Sequence, residues 1–224
     1  MNNSVPGNVA PNVIPSWLDL FRARAPKLDV PAFLRPAPNA RPAAVLVLFG
    51  EGPQGPDVLL IERAATLKKH AGQPAFPGGA IDPEDDGPIA AALREAEEET
   101  GVDPDGVTVL GALPELYLSR SNFRVTPVAA WWHDPSDVSP GHPGEVAAVA
   151  RVPIGELVDP GNRVSLRAPG GFIGPAFRVR DMLVWGFTAG LLDNLLEAGG
   201  WAVPWDTGRT EDLPPDVLNL AARG

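Results

Sequence analysis

The chain has 224 residues, 44% of them hydrophobic, with 18 basic against 28 acidic side chains for a formal net charge of −10. That is enough apolar material for one large domain or two small ones, and the acidic balance argues against a general nucleic-acid or anionic-membrane surface, both of which want a basic patch. The absence of cysteine excludes disulfides, thiolate catalysis and thiolate zinc sites.

The opening residues, MNNSVPGNVAPNVIPSW, have neither a basic n-region nor an apolar h-region and do not read as a signal peptide. The apolar run AAVLVLFG at 43–50 is far too short to span a bilayer. A soluble, cytoplasmic protein without a membrane or nucleic-acid partner is expected. Residues 1–40 read as a Pro-rich arm with one short helix around 16–24, carrying Trp17, Leu18, Leu20 and Phe21. Leaving those side chains in water costs about 25 cal/mol per Å² of apolar surface. The arm is therefore expected to dock, either on its own domain or across a homodimer, and the homodimer is the preferred arrangement.

Further along, residues 43–49 and 58–61 are apolar runs of strand length parted by a Gly/Pro turn, which reads as a hairpin. Residues 66–87 look irregular and carry the turn Phe76-Pro77-Gly78-Gly79. A helix is expected at about 88–100, with Pro88 in its first turn and Gly101 at its left-handed stop. Strands follow at 107–113, 125–132 and 148–153. From Met182 to Ala198, Leu183, Phe187, Leu191, Leu192, Leu195 and Leu196 recur at helical spacing up to Gly199-Gly200. Residues 201–224 read as a loop-rich tail. Hairpins and helices in mixed order, without regular βαβ alternation, predict an α/β (α+β) domain over 41–200 in which a mixed sheet is sandwiched between helices.

The stretch REAEEETG at 94–101 crowds like charges that repel at helical spacing. At about 100° per residue, with Leu93 at zero, Ile89, Ala96 and Thr100 fall within about 60° of it, while Glu95, Glu98 and Glu99 fall at roughly 200°, 140° and 240°. Three carboxylates at i, i+3 and i+4 thus share the side opposite a narrow apolar stripe, and Glu97 lies near the stripe's edge. An acidic run of this kind is by default a solvated helix face. Here Arg94 can hold Glu95 and Glu98, a Gly-Gly turn lies just upstream, and Asp82, Glu84, Asp85 and Asp86 add further oxygens. Clustered carboxylates favour hard cations such as Mg²⁺.

These residues match a family pattern. Gly79 to Val102, GAIDPEDDGPIAAALREAEEETGV, resembles the Nudix box, G-x5-E-x7-R-E-U-x-E-E-x-G-U with U apolar. Its second half matches at Arg94, Glu95, Ala96, Glu98, Glu99, Gly101 and Val102. Its first half is one residue too long, and Asp85 or Asp86 stands where glutamate is usual, so either aspartate is open as the partner of Arg94. Upstream, Leu59 to Gly79 resembles the signature of the coenzyme A pyrophosphatase branch, L-L-T-x-R-[SA]-x3-R-x3-G-x3-F-P-G-G, with Ile61 for the threonine and Lys68 for the second arginine. Lysine keeps the charge but loses the bidentate fork. Val184-Trp185-Gly186-Phe187-Thr188-Ala189 is similar to a late segment of the same branch.

The resemblance implies a Nudix fold and a pyrophosphohydrolase needing Mg²⁺ or Mn²⁺, with Glu95, Glu98, Glu99 and the Gly79 carbonyl as metal ligands and Arg94 orienting Glu95. Divalent metals would neutralise the pyrophosphate oxygens that otherwise repel a nucleophile. The general base is either a box glutamate or Glu145 in HPGEVAAV, which could equally be a plain loop residue. Arg63, Lys68 and Lys69, in the densest basic stretch of the chain with His70, are expected to meet substrate phosphates, and Phe76 and Gly78 of the F-P-G-G turn to line the substrate site. His133 and His142 read as structural, and Trp131-Trp132 as strand packing. Trp17, Trp201 and Trp205 read as docking residues of the terminal arms. The implied substrate is a nucleotide derivative, coenzyme A or a relative. ADP-ribose, dinucleotide polyphosphates and dNTPs are the rival substrates, and a ligand-sensing domain without turnover is the rival of another class.

Overall fold

The computed structural model describes residues 13–67, 70–168 and 171–221. The 3₁₀ turns Ser16–Leu18 and Ala25–Lys27 flank helix α1 (Asp19–Arg24), and the turn Ala32–Leu34 leads into strand β1 (Arg41–Gly52). A tight turn joins β1 to β2 (Gly55–Arg63), with Phe49 opposite Val58. The short strands β3 (Pro74–Ala75) and β4 (Gly78–Ala80) bracket the Phe76-Pro77 corner and pair with the end of β2 and the start of β1. Helix α2 (Gly87–Thr100) precedes β5 (Val107–Ala112), β6 (Leu116–Leu118) and β7 (Phe123–Trp132). Strand β7 runs parallel to β1 from Arg41↔Phe123 to Phe49↔Trp131, which makes the sheet mixed. Strand β8 (Val146–Pro153) covers the other edge of β2 and leads into the short helix α3 (Ile154–Val158).

Strand β1 is buried on both faces and alternates between two cores, as a central parallel strand does. Ala44, Leu46 and Leu48 meet Val128, Ala130 and Trp132 of β7 under Ala91, Ala92 and Ala96 of α2. Val47 and Phe49 face the other way, with Val58, Leu60 and Trp131, against Leu18 and Phe21 of the arm and the helix α4 (Gly186–Gly199). Helices therefore cover both faces of a mixed sheet, in agreement with the expected architecture. No helix among the described residues is long and apolar enough to cross a membrane.

Three local expectations are corrected. Residues 182–184 are not the start of the helix but a strand, β11 (Met182–Val184), which follows β9 (Arg163–Arg167) and β10 (Ile173–Val179). A two-residue turn, Arg180-Asp181, with φ of 50° and 61°, folds Met182 back onto Val179. Positive φ at both central positions matches the twist of a hairpin, so the helical leucine spacing begins one element too early. Residues 201–221 are not merely a loop-rich tail: Thr210–Asp212 (β12) pairs in parallel with β9, and α5 (Pro215–Ala221) follows. The smaller sheet β11-β10-β9-β12 was not legible because its strands are short, seven residues or fewer.

The third correction concerns α2. Its buried side is Ala91, Ala92, Ala96, Glu99 and Thr100, whereas Leu93 is half-buried and Ile89 is 38% exposed. Alanines let the helix lie close to the sheet, so the inward face is rotated away from the largest apolar side chains and takes Glu99 with it. The arm takes one of its two expected placements, on its own domain. Leu18 and Phe21 are 0% and 1% exposed within their own chain. Trp17 lies 5.8 Å from Trp131 and 5.7 Å from Trp201 between ring centroids, and Phe21 stacks on Trp201 at 5.9 Å. The apolar surface that motivated an arm-mediated homodimer is thus spent on the arm's own domain. Trp205 also docks, with the buried Arg163 guanidinium held between its ring and Phe177 at 4.4 and 4.7 Å.

Candidate active site

Helix α2 and strand β4 assemble the carboxylates. Gly101 ends the helix with φ of 75°, and its N–H donates to the Glu97 carbonyl. The loop after β7 then caps the remaining carbonyls: Ser139 N–H donates to Thr100 O and Gly141 N–H to Glu99 O, both at 3.0 Å. This capping carries the chain over the helix end and delivers Glu145, whose carbonyl accepts from Ala64 N–H at 2.8 Å.

Glu99 points inward to β4, where Gly78 N–H donates to its Oε2 at 2.9 Å, and the Arg63 guanidinium lies 3.7 Å away. Burial pushes this carboxyl up to about 7, and the neighbouring Glu95 and Glu145 add to the shift against the opposing pull of Gly78 and Arg63. Glu95 is also raised by burial, with Arg94 opposing. Gly79 sits directly on the Glu95 carboxylate, so that a Cβ there would lie 2.4 Å from Oε1. Any larger residue would push the Glu95 carboxylate out of this position.

Arg94 organises the outer side. Its Nε and Nη2 donate to the two oxygens of Asp85 at 2.9 Å each, and its Nη1 reaches Glu95 at 3.1 Å and Glu98 at 3.3 Å. The partner left open by the sequence is Asp85; Asp86 is the residue before α2 and makes no capping bond with its side chain. Arg94 holds the Asp85 carboxyl below its ordinary range. This bidentate pairing is the geometry in which arginine and lysine differ most.

A cavity of about 480 Å³ opens above these groups. Glu95, Glu99, Gly78, Gly79, Arg63 and Phe76 line it, as does Glu145. Glu98 does not line it; its side chain is 52% exposed and turned to Arg94. Among the described residues no three His, Cys, Asp or Glu side chains converge closely enough to hold a metal as they stand. Lys68 and Lys69 lie outside the described residues. His133 and His142 do not line the cavity, whereas His70 does, its Nδ1 3.0 Å from Gln73 Oε1.

Sequence reasoning missed one wall altogether. Leu118, Arg120, Ser121 and Phe123, at the β6–β7 turn, also line the cavity. No motif marks them, because the turn reaches the site only through β7 pairing with β1. Trp185, Phe187 and Thr188 form another wall, fastened by Thr188 Oγ1 donating to Pro74 O at 3.0 Å. That wall did carry a signal, the late segment Val184 to Ala189.

Comparison with known proteins shows the family of the chain. The NUDIX domain profile matches residues 39–169. The protein named "Uncharacterized Nudix hydrolase NudL" from Cronobacter sakazakii is 44% identical over 188 residues, covering 81% of this chain and 94% of that protein. The protein of the same name from Escherichia coli K12 is 40% identical over 188 residues, covering 80% and 92%. Among solved structures, the Nudix hydrolase RenU from M. smegmatis is 29% identical, with a TM-score of 0.45, over 54% of this chain and 74% of that one.

Proposed function

The chain belongs to the Nudix family of pyrophosphohydrolases, and on that premise we propose that its substrate is coenzyme A or an acylated derivative, cleaved to 3′,5′-ADP and 4′-phosphopantetheine or its acylated form. One observation carries the reading. Glu95 and Glu99 of the box, Arg63 and Phe76 of the upstream signature, and Trp185 to Thr188 of the late segment all line a single cavity. Two stretches that resemble the coenzyme A branch, about a hundred residues apart in sequence, supply walls of the same site as the Nudix box. The mixture of an acidic floor, a guanidinium and aromatic walls suits a ligand with both a pyrophosphate and less polar ends.

Nudix hydrolases generally use divalent metal ions. The donor set fits one: every candidate ligand is an oxygen, and burial raises the Glu99 carboxyl to about 7 even with Arg63 3.7 Å away, so a further positive charge there would favour its ionised form. Glu95, Glu98, Glu99 and the Gly79 carbonyl would hold Mg²⁺ or Mn²⁺. Bound there, the ion would neutralise pyrophosphate oxygens and acidify water. The chain's own groups do the rest. Asp85 fixes Arg94, which positions Glu95 and Glu98. Arg63, beside Glu99, meets the pyrophosphate. Glu145 faces the same cavity and takes up the proton of the attacking water.

The test is a hydrolysis panel with added Mg²⁺ or Mn²⁺ over CoA, acyl-CoA, NADH, ADP-ribose and dNTPs. CoA or acyl-CoA is expected to lead in kcat/KM by at least about tenfold, a difference of about 1.4 kcal/mol. Preference for ADP-ribose or a dNTP would overturn the substrate assignment and leave the hydrolase class intact.

A further inference from the structure

The described cavity walls carry two cations of permanent charge, Arg63 at the end of β2 and Arg120 on the β6–β7 turn. Arg63 is engaged at the carboxylate end, 3.7 Å from Glu99. Arg120 has no carboxylate within ion-pair distance among the described residues. In a chain with 28 acidic residues against 18 basic ones, a guanidinium left free on a cavity wall is a group available to a ligand.

The turn that carries Arg120 is held from several sides. Ser121 N–H donates to Leu118 O and Asn122 N–H to Ser119 O, both at 3.3 Å. Asn122 adopts φ of 55°, its Oδ1 accepts from Tyr117 Oη at 3.0 Å and its carbonyl accepts from Arg41 N–H at 2.9 Å. Arg41 donates to Ser121 O at 3.3 Å and covers one side of the Phe123 ring at 4.3 Å. Arg41 is thereby occupied, and Arg120 is presented on a pre-ordered support.

The sheet sets the scale. Gly79 pairs with Ala44 and Phe123 with Arg41. Two strand spacings of about 4.8 Å across and three residues of about 3.3 Å along put Phe123 about 14 Å from Gly79. That is the reach of a nucleoside, not of a neighbouring phosphate.

We propose that Arg120, on the β6–β7 turn beside Phe123, receives an anionic group on the ribose of the substrate, remote from the pyrophosphate that Arg63 and the box carboxylates receive. This rests on the coenzyme A reading, in which that group is the 3′-phosphate. The 3′-phosphate is then received by a residue that no sequence motif marks. Phe123 and the facing aromatic walls then flank the base.

The experiment measures binding of 3′,5′-ADP and of 5′-AMP to the full chain in Mg²⁺ buffer by calorimetry, alongside CoA hydrolysis. The two ligands differ only in the ribose phosphate. Wild type is expected to bind 3′,5′-ADP at least tenfold more tightly, and Arg120→Ala to bring that ratio below about threefold. Arg120→Lys, which keeps charge but not the planar fork, is expected to fall between. A wild-type ratio near one, or the same ratio in wild type and Arg120→Ala, overturns the proposal. The two readings fail separately. Wild type that hydrolyses CoA with a ratio indifferent to Arg120 refutes only the Arg120 site, and wild type that shows the Arg120-dependent ratio without hydrolysing CoA refutes only the substrate assignment.

Discussion

Truncating Phe21 to alanine tests whether the arm is part of the domain or an attachment to it. Phe21 is 1% exposed, its ring 4.9 Å from Phe49 and stacked on Trp201. The rings around it cannot collapse into the space it leaves, so the loss belongs in the usual range for a buried aromatic, about 3–5 kcal/mol. Whole domains of ordinary stability have only about 5–15 kcal/mol, and a domain of this size loses about 2–4 °C in Tm per kcal/mol. The midpoint is therefore expected to fall by roughly 6–20 °C. Leu20, on the same helix but 39% exposed, provides the control. Leu20→Ala is expected to cost under about 1 kcal/mol. Urea unfolding read by tryptophan fluorescence and by far-ultraviolet circular dichroism would show one shared transition, shifted in Phe21→Ala. Because Phe21 is buried within its own chain, the shift is independent of protein concentration. A Phe21→Ala variant within 1 kcal/mol of wild type, or a midpoint that climbs with concentration, would refute the reasoning and return the arm to an intersubunit role.

Other consequences are equally open to measurement. Burial raises the Glu99 carboxyl from 4.5 to about 7, so in the metal-free protein its favourable contribution is full below 4.5 and is lost as pH rises through 7. Glu99→Gln in EDTA should then be inactive yet more stable than wild type near pH 8, by up to about 3 kcal/mol at about 1.36 kcal/mol per pH unit, and no more stable near pH 4.5; an equal difference at both pH values in urea melts would sink this account. Gly79→Ala places a methyl 2.4 Å from Glu95 Oε1, and a displacement on the scale of 1 Å at a reacting site costs about 10²-fold in rate, while Tm should hold within a few degrees. Arg94→Lys breaks the two-pronged bond to Asp85; kcat should fall with little change in KM, Asp85→Asn should do the same, and the double variant should be scarcely worse than either single one. Fully additive losses in that cycle would show that Asp85 does not act through Arg94.

How much of this was legible before folding depends on the distance over which each feature is decided. The bounds of α2 follow from Pro88 and Gly101, because a fixed φ and a left-handed stop are properties of single residues. The two-sided burial of β1 follows from an unbroken apolar run. The grouping of Glu95, Glu98 and Glu99 on one side of a helix is a matter of spacing alone. All of these are settled within one turn or one strand of the residues concerned.

What spacing cannot give is the rotation of a helix on its sheet. Packing selected Ala92 and Ala96 for the interface because small side chains permit close approach, and that choice buried Glu99 at 5% exposure while leaving Glu98 outside. The same holds for Asp85 over Asp86, which differ only in which of them the loop before α2 turns toward Arg94. Arg120 is the extreme case: nothing around it in sequence marks it, and it reaches the cavity because β7 lies in parallel beside β1, eighty residues earlier. Sequence by itself determined the elements and the chemistry of the acidic box, since both are local. Only the tertiary structure decided which carboxylate is buried, which aspartate pairs and which arginine of the β6–β7 turn lines the cavity, because those depend on backbone pairing and close packing between segments that carry no information about one another's position.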